Sequence, residues 1–430
     1  MELLKLLLVT AIASVIPGQL VRIPFFPQSG AFTVSDILVV ILAVVFLLYF
    51  LFRAQNPDFQ ASGEANLEAR KREPRPSGRG DLFNKLPLVV PKNIVLPVSI
   101  FSLLAALSTF FALNRFSPLE ILASSLFLIR FLLYFSVLII TLNVAKKETI
   151  ESWLNVFFAI GTILVLLGFV QLLLVPNLLF LTPYGWDPHR TRIVSSFLDP
   201  NFIGIVFVFL ASFSLSKYLY KKNLGLLLIF LFASIAVLLT FSRSSYLAFL
   251  CALFVIGILK SFKITSLTVL IFLLSFLIIP QARERVAGAI TFDETAEART
   301  ESWQKALLVF ADNFLIGVGF NTYRYSQASY GFFENDQNLG GHSGAGSDSS
   351  LLLVAATTGV FGLGAFIWVL VSIYKTVSKS AKNSFIALGT LASFTSLLVH
   401  SQFVNSLFFP QIMLLFWFFL YLQHLQPFLP

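Results

Sequence analysis

The sequence predicts an all-α integral membrane protein with about twelve transmembrane helices and one large outer loop. Of its 430 residues, 57% are hydrophobic, only 12% are charged, and the mean hydropathy is +0.85. A soluble domain has about 25% charged residues, so this composition indicates a chain that lies mainly in lipid. The lone cysteine, Cys251, lies in an apolar run, which excludes a disulfide scaffold and a cysteine-built metal site. The net charge of +9 comes without a basic face interleaved with aromatic residues, so we expect no nucleic-acid partner.

Twelve apolar stretches approach the length of about 20 residues that a helix needs to cross a bilayer. In chain order they are residues 3–20, 34–52, 93–113, 118–141, 153–175, 200–217, 223–241, 244–260, 264–280, 349–374, 384–401 and 405–423. The first also has the weak cleavage pattern of a signal peptide at Ala11 and Ala13, and we assign it as a span. Cleavage there would leave the later topology unchanged.

The basic residues predict that the N-terminus is cytoplasmic. In that orientation the inner segments contain 19 of the 30 Lys and Arg residues and the outer segments contain ten, with Arg130 inside the fourth span. The inner set has 14 Lys and five Arg, whereas the outer set has nine Arg and one Lys. Arg can bind phosphate through two parallel hydrogen bonds, so an Arg-rich outer face indicates bound phosphate. Pairing of these arginines with loop acids is the alternative.

The spans divide the chain into five segments. These are 1–52 with the first two spans, 53–92, 93–280 with spans three to nine, 281–348, and 349–430 with the last three spans. The polar segment 53–92 is rich in Pro and Gly and is predicted to be a disordered cytoplasmic linker. In the outer loop 281–348, Trp303, Leu307 and Phe310 recur at helical spacing. This pattern predicts an amphipathic helix over 297–313 that lies against the outer membrane surface or the bundle.

The outer loop between spans five and six reads YGWDPHRTRIVSSFLDPN and carries Arg190 and Arg192. Asp199 and Pro200, at its end, have the positions of a helix cap and a first-turn proline. Arg192 lies near the N-terminus of span six, where an anion is favoured and a second cation is not. We therefore predict that Arg192, with Arg190 beside it, binds a phosphate group.

Two further arginines are candidate site residues. Arg243 lies in the short outer turn LLTFSRSSYL, where it either binds phosphate or caps the carbonyl groups that end span seven. Arg130 lies near the middle of span four, and the sequence suggests no Asp or Glu at comparable depth. A charge there must face protein or a water-filled cavity, so Arg130 is predicted to contact backbone carbonyls or to line a cavity.

Two residues of the large outer loop are candidate proton acceptors. His342 lies in the stretch GGHSGAG, and Asp348 lies at the start of span ten. His342 is favoured because an ordinary histidine has a pKa of about 6.5. Asp348 needs a raised pKa, although the start of a helix holds it more rigidly. The sequence has no zinc motif, paired-carboxylate motif or phosphate loop, so we expect neither a metal nor a cofactor.

Four motifs follow one another between about residue 150 and the end of the chain: TRIVSSFLDPN, LLTFSRSSYLAFL, RTESWQKAL with IGVGFNTY, and LLLVAATTGVFGLG. In this order, with twelve spans and one large outer loop, they resemble the bacterial O-antigen ligase and polymerase family of polytopic membrane glycosyltransferases. The resemblance implies a polyprenyl-pyrophosphate-linked glycan as donor and a lipid or glycan as acceptor. It also implies an active site on the outer face of the bacterial cytoplasmic (inner) membrane.

Carried over by position, the resemblance implies that Arg192 and Arg299 bind the pyrophosphate and that transfer to an acceptor hydroxyl inverts the sugar without a metal. The sequence departs from the family pattern at two positions. Asn313 stands where the family usually has Pro, and Asp348 stands where its His is expected, eleven residues before Gly359. Ligases, polymerases and protein O-glycosylating enzymes share these motifs, so the acceptor stays open.

A transporter or flippase of anionic lipid-linked saccharides is the alternative function, because outer arginines and Arg130 would serve it as well. Transporters often consist of two halves with similar hydropathy and have broken helices near the membrane midplane. Here neither half of the sequence repeats the other, and the charged residues gather on one face and in one loop. The sequence therefore favours the glycosyltransferase.

Overall fold

A computed structural model describes residues 1–26, 30–55, 88–145, 150–333 and 346–424. The helices in these ranges are α1 (Glu2–Ala13), α2 (Val34–Gln55), α3 (Lys92–Phe111), α4 (Pro118–Val144), α5 (Ile150–Leu174), α6 (Pro200–Lys221), α7 (Leu224–Leu239), α8 (Arg243–Leu259), α9 (Phe262–Ile278), α10 (Pro280–Ile290), α11 (Glu294–Asp312), α12 (Tyr323–Ser329), α13 (Ser350–Ser378), α14 (Phe385–His400) and α15 (Pro410–His424). Two antiparallel strands, β1 (Arg22–Phe26) and β2 (Gly30–Thr33), lie between α1 and α2. Most of the predicted linker 53–92 lies outside the described residues.

Of the described helices, six are long and apolar enough to cross a membrane: α2, α3, α4, α5, α6 and α13. The pair α9 and α10, bent by 96°, gives a seventh if both halves form one span. The apolar helices α7, α8, α14 and α15 have only 15 to 17 residues. At 1.5 Å per residue they are about 22 to 26 Å long, shorter than the roughly 30 Å hydrocarbon core. The protein is therefore a helical membrane protein, and the count of twelve spans stays a prediction.

The N-terminal region differs from the sequence prediction in two ways. The helix in the first predicted span is only 12 residues long, because the chain turns after Ala13. Gly18 lies in this turn with a φ of +55°, and a Cβ there would lie 2.5 Å from the carbonyl oxygen of Ser196. Only glycine fits such a close approach with that φ. The hairpin of β1 and β2 departs from the all-α prediction, since RIPFF and GAFT are short segments between apolar runs.

Helix α6 forms the centre of the bundle, because 89% of its 18-residue apolar stretch is buried inside the protein. Small residues on neighbouring helices allow this burial: a Cβ on Gly161 of α5 would lie 2.7 Å from Leu210, and one on Gly389 of α14 would lie 2.8 Å from Phe213. Lipid tails are as apolar as leucine, so close van der Waals packing of this kind stabilises helix association in a membrane. Phe213 also packs against the ring of Phe157, at 5.4 Å between centroids.

The predicted amphipathic helix is confirmed as α11, which begins at Glu294, three residues before the predicted start. Its apolar side packs on the protein, because Ala306 and Val309 are buried in a cluster with Leu353 and Ala356 of α13. Glu301 on the opposite side is exposed. The side of the helix with Ala306 and Val309 therefore packs against the bundle, whereas Leu307 of the predicted stripe is exposed.

The segment after α11 inserts into a break in α13. At Gly359 the φ is +66° and the ψ is −169°, and the N–H of Val360 donates to the carbonyl of Phe314 instead of continuing the helix, at 2.8 Å. Gly317 lies opposite with a φ of +78°, and a Cβ on either glycine would lie 2.3 Å from backbone atoms of the other segment. Both glycines are therefore required by this approach. The insertion fixes α11 relative to the start of α13.

Several helix ends meet on one side of the bundle. The N–H of Ile193 donates to Leu239 at the end of α7 (3.0 Å), and the Ser242 hydroxyl before α8 donates to Asn201 of α6 (2.7 Å). The N–H of Ser350 donates to Ser401, which joins the start of α13 to the end of α14 at 2.8 Å. All the loops that meet here were assigned to the outer side of the membrane by the distribution of basic residues. They bring most of the predicted site residues together.

Candidate active site

Arg192 is held rigidly beneath the surface of this loop cluster. Its Nε donates to the carbonyl of Thr240 at 2.8 Å and its Nη2 to that of Phe241 at 3.2 Å. Arg192 therefore caps the end of α7. The sequence had suggested Arg243 for this role. The side chain is buried, and burial, followed by the charge of Arg285, lowers the pKa of Arg192 to about 10. Such an unfavourable environment for a cation is one that an added anion would relieve.

The loop that carries Arg192 has an unusual backbone. Thr191, Ser195 and Leu198 all have a φ between +50° and +57°, which costs free energy for residues other than glycine. Asp199 then caps α6 as predicted, because its side chain accepts hydrogen bonds from the N–H groups of Asn201 and Phe202 at 2.7 and 3.2 Å. The strain and the cap together determine where Arg192 is presented.

Arg299 and Asp348 lie close enough on the same side to influence each other. Burial raises the pKa of Asp348 to about 6; the positive charge of Arg299 opposes this rise, and the charges of Asp187 and Asp199 add to it. Burial also lowers the pKa of Arg299, whose guanidinium lies 6.0 Å from the ring centroid of Phe403. Within the described ranges Arg299 forms no ion pair shorter than 4 Å. Its guanidinium is therefore more available for phosphate than that of Arg192, which two backbone carbonyls engage, or that of Arg243, which Asp293 pairs.

The backbone of Asp348 is anchored to α11. Its N–H donates to the hydroxyl of Ser302 at 3.0 Å, and Ser302 lies one turn after Arg299 on the same helix. Next to it, Trp303 of α11 packs on Phe403 at 5.7 Å between ring centroids. These contacts fix the backbone of Asp348 beside the helix that carries Arg299.

Arg243 pairs with a loop acid, which was the alternative to phosphate binding for the outer arginines. Its Nη1 donates to Asp293 Oδ1 at 2.9 Å, its Nη2 pairs with Asp293 Oδ2, and its Nε donates to the carbonyl of Arg285. The hydrogen bonds from Arg243 hold the pKa of Asp293 below its usual value. The predicted alternative, capping of the carbonyls that end span seven, is wrong, since Arg192 occupies them. Arg243 joins α8 to the turn before α11, and its binding of phosphate stays a prediction.

Arg130 has both predicted environments and one unexpected partner. Its Nη2 donates to the carbonyl of Ala31 at 2.7 Å, and it lines a small cavity together with Phe127 and Phe408. The expectation that no acid lies at its depth is wrong, because Arg130 Nε lies 2.9 Å from Asp36 Oδ1. The hairpin of β1 and β2 turns the chain so that Asp36, at the start of α2, reaches α4. Arg130 therefore forms a structural ion pair with Asp36 beside a cavity.

Arg190 and His342 are the remaining predicted site residues. Arg190 is exposed and forms an isolated backbone bridge with Asn177, so its side chain is open to solvent. His342 lies outside the described residues. The structure thus brings Arg192, Arg299 and Asp348 to one place and leaves Arg130 in a separate environment.

A group of side chains that sequence reasoning missed lies beside Arg192. One ligand atom from each of Asp187, His189 and Asp199 lies within 4.8 Å of the others. Burial lowers the pKa of His189 to about 4, with a smaller contribution from Arg192, and burial raises the pKa values of both acids. The sequence signal for this group is that WDPHR and LDPN lie at the two ends of one short loop. It was missed because Asp199 had already been explained as a helix cap.

Comparison with known protein families supports the resemblance inferred from the motifs. A family model described as O-antigen ligase matches residues 228–367, about a third of the chain. The match runs from α7 into α13 and includes Arg243, Arg299 and Asp348, whereas Arg192 precedes it. No curated protein matches the sequence. The family resemblance is thus confirmed over residues 228–367, where this helical membrane protein matches the O-antigen ligase family.

Proposed function

We propose that the protein is a membrane glycosyltransferase of the O-antigen ligase or polymerase type. It transfers a glycan from a polyprenyl-pyrophosphate donor to a hydroxyl group of a lipid or glycan acceptor. The observation that carries this proposal is the proximity of Arg299 to Asp348, whose pKa burial raises to about 6, together with buried Arg192, on which the charge of Arg299 also acts. This combination offers cations for a leaving pyrophosphate and a group that can accept a proton near neutral pH.

The proposed reaction is a single displacement. The acceptor oxygen forms a bond to the anomeric carbon while the bond from that carbon to the pyrophosphate oxygen breaks, so the sugar is inverted. The electron pair of the broken bond stays on the pyrophosphate, where Arg192 and Arg299 stabilise the added charge. The acceptor proton passes to Asp348, or to His342 if the latter is the base. Arg192 needs no rearrangement for this task, because the α7 carbonyls already fix its guanidinium.

We propose that the site faces the outside of the bacterial inner membrane, with the N-terminus in the cytoplasm. To test this, Cys251 is replaced by Ala and single cysteines are introduced at Ser77 or Ser329. Ser329 is exposed at the end of α12, so a cysteine there is open to a reagent on its side of the membrane. In intact cells an impermeant maleimide is expected to label position 329 and not position 77. Labelling must reach both positions after permeabilisation, and the reverse pattern in intact cells would contradict the orientation.

Transfer by purified protein in detergent tests the function itself. The protein is expected to consume a polyprenyl-pyrophosphate-linked glycan when an acceptor is supplied, and to do so at an undiminished rate in EDTA, because arginines neutralise the leaving group. Detergent removes the two compartments that transport needs, so a flippase of anionic lipid-linked saccharides would show no product. Loss of transfer in EDTA that magnesium or manganese restores would contradict the metal-free mechanism alone.

A further inference from the structure

The cluster of Asp187, His189 and Asp199 has the features of a cation site that the proposed reaction does not use. Asp187 and His189 lie in the segment between α5 and α6, and Asp199 caps α6. One oxygen or nitrogen atom from each residue lies within 4.8 Å of the other two. The side chain of Asp187 is exposed, so an ion can enter from solvent.

His189 provides an independent indication of a missing ligand. The residue is only 8% exposed, and its Nε2 is buried without a hydrogen-bond partner among the described residues. A buried polar atom with no partner costs free energy, and native structures contain few of them. One ring nitrogen of this histidine belongs to the cluster of atoms within 4.8 Å, so the imidazole lies beside both carboxylates.

Burial raises the pKa values of Asp187 and Asp199 and the charge of Arg192 opposes this rise, but Arg192 forms no ion pair within 4 Å with either acid. The guanidinium of Arg192 is engaged by the carbonyls of Thr240 and Phe241, and in the described chain no ion pair within 4 Å involves Asp187 or Asp199. Asp199 Oδ1 accepts two backbone hydrogen bonds as a helix cap. That cap fixes its carboxylate and leaves room for a second interaction, because a carboxylate can accept about four bonds.

We propose that Asp187, His189 and Asp199 bind one divalent metal ion of the Zn²⁺ or Mn²⁺ class. An imidazole with two carboxylates suits these ions, which bind such ligands at about 2.0 to 2.2 Å. Bringing the three atoms to that distance takes side-chain shifts of about 1 Å or less. The positive charge offsets the two carboxylates, and the ion joins the loop after α5 to the start of α6. Because Arg192 is anchored separately by α7, the ion stabilises the loop without being required for transfer.

Metal binding by the purified protein tests this proposal without any glycan. The full chain is purified in detergent through a tag that contains no histidine, stripped with EDTA, and titrated with Zn²⁺ or Mn²⁺ by calorimetry. We expect one saturable site per chain, and Asp187→Asn or His189→Gln should weaken binding at least about tenfold. The matched controls are Glu284→Gln, an exposed acid of α10, and His424→Gln, near the C-terminus; both should bind like wild type.

A thermal-unfolding measurement gives a second readout. The ion should raise the Tm of wild type, because a ligand that binds only the folded protein stabilises it, and Asp187→Asn should remove this rise. Asp187 is exposed and caps no helix, so this variant is expected to fold, with the same elution from size-exclusion chromatography as wild type. Absence of saturable binding to wild type, or unchanged binding by both cluster variants, would contradict the proposal. The binding and unfolding measurements use no glycan donor, so they do not depend on the proposed function. A protein that binds the ion but fails in the separate transfer assay would contradict the proposed function and not the metal site.

Discussion

Replacing Arg299 by Lys is expected to reduce glycan transfer roughly 100- to 1,000-fold, nearly as much as replacing it by Ala. Lys keeps the positive charge but lacks the planar fork that can bind two oxygens of a pyrophosphate at once. Within the described chain the guanidinium of Arg299 has no ion-pair partner within 4 Å, so the substitution removes little from the resting protein. Arg299→Lys should therefore keep the Tm of wild type while losing activity.

The same substitution at Arg192 is expected to lose activity to the same extent and also to lower the Tm. Arg192 donates to the carbonyls of Thr240 and Phe241, and Lys cannot serve both of them in the same geometry. Each buried hydrogen bond contributes about 0.5 to 1.5 kcal/mol, so the change in stability is measurable. The matched control is Arg283→Lys, an exposed outer arginine of α10, which should keep both activity and Tm. Near-normal turnover by Arg192→Lys and Arg299→Lys would mean that these residues supply only a diffuse positive field.

Local sequence signals predicted the parts of this structure that depend on neighbouring residues. The cap at Asp199 and the amphipathic helix α11 both depend on residues within one or two turns, and both are confirmed. The helical membrane character is confirmed because it depends on composition. The motifs around Arg299 and Gly359 indicated the resemblance, and the family model matches residues 228–367, which include both.

Contacts between distant residues could not be predicted in the same way. Arg192 binds a carbonyl 48 residues away, Arg243 pairs with an acid 50 residues away, and Arg130 pairs with one 94 residues away. Each arginine has several acids or carbonyls within reach of its loop or span, and the fold decides among them. The hairpin that brings Asp36 to Arg130 has no helical periodicity, so a search for apolar runs passes over it.

The lengths of the short helices were overestimated for a related reason. Apolar residues continue after the end of α7 and precede the start of α15, because these loop residues pack in or against the core of the bundle. Phe241, for example, is 4% exposed although it lies outside α7. An apolar run therefore measures what is hidden from water, and only caps and turns mark where a helix ends.

Replacing Asp348 by Asn is expected to reduce transfer about 100- to 10,000-fold, the range for loss of a general base. The sequence favoured His342 because Asp348 needed a raised pKa, and burial in the folded protein raises it to about 6. We therefore propose Asp348 as the base. Since the base must be ionised, kcat/KM should fall about tenfold per pH unit below pH 6 and level off above it. The measurement is the transfer rate of wild type across pH 5 to 8 at low donor concentration.

The stability of Asp348→Asn separates loss of chemistry from loss of fold. The pKa of Asp348 is about 6 in the folded protein and about 3.9 in an unfolded chain. A carboxyl group with a raised folded pKa favours folding below its unfolded pKa and loses that contribution as the pH rises through the folded value. At pH 7.5 the neutral amide should thus give a Tm equal to or above that of wild type. A marked decrease in Tm would show that the ionised carboxylate has a structural task instead.

The pH profile alone cannot distinguish Asp348 from His342, because an ordinary histidine has a pKa of about 6.5 and would also lose activity as the pH falls. The two variants do distinguish them. If Asp348 is the base, His342→Ala keeps most of the wild-type rate, and Asp348→Asn binds donor with little change while its chemical step is lost. If His342→Ala is inactive and Asp348→Asn keeps its rate, the base is His342. Asp348 would then act only through its charge near Arg299, so Asp348→Asn should alter donor affinity without changing the pH dependence of kcat.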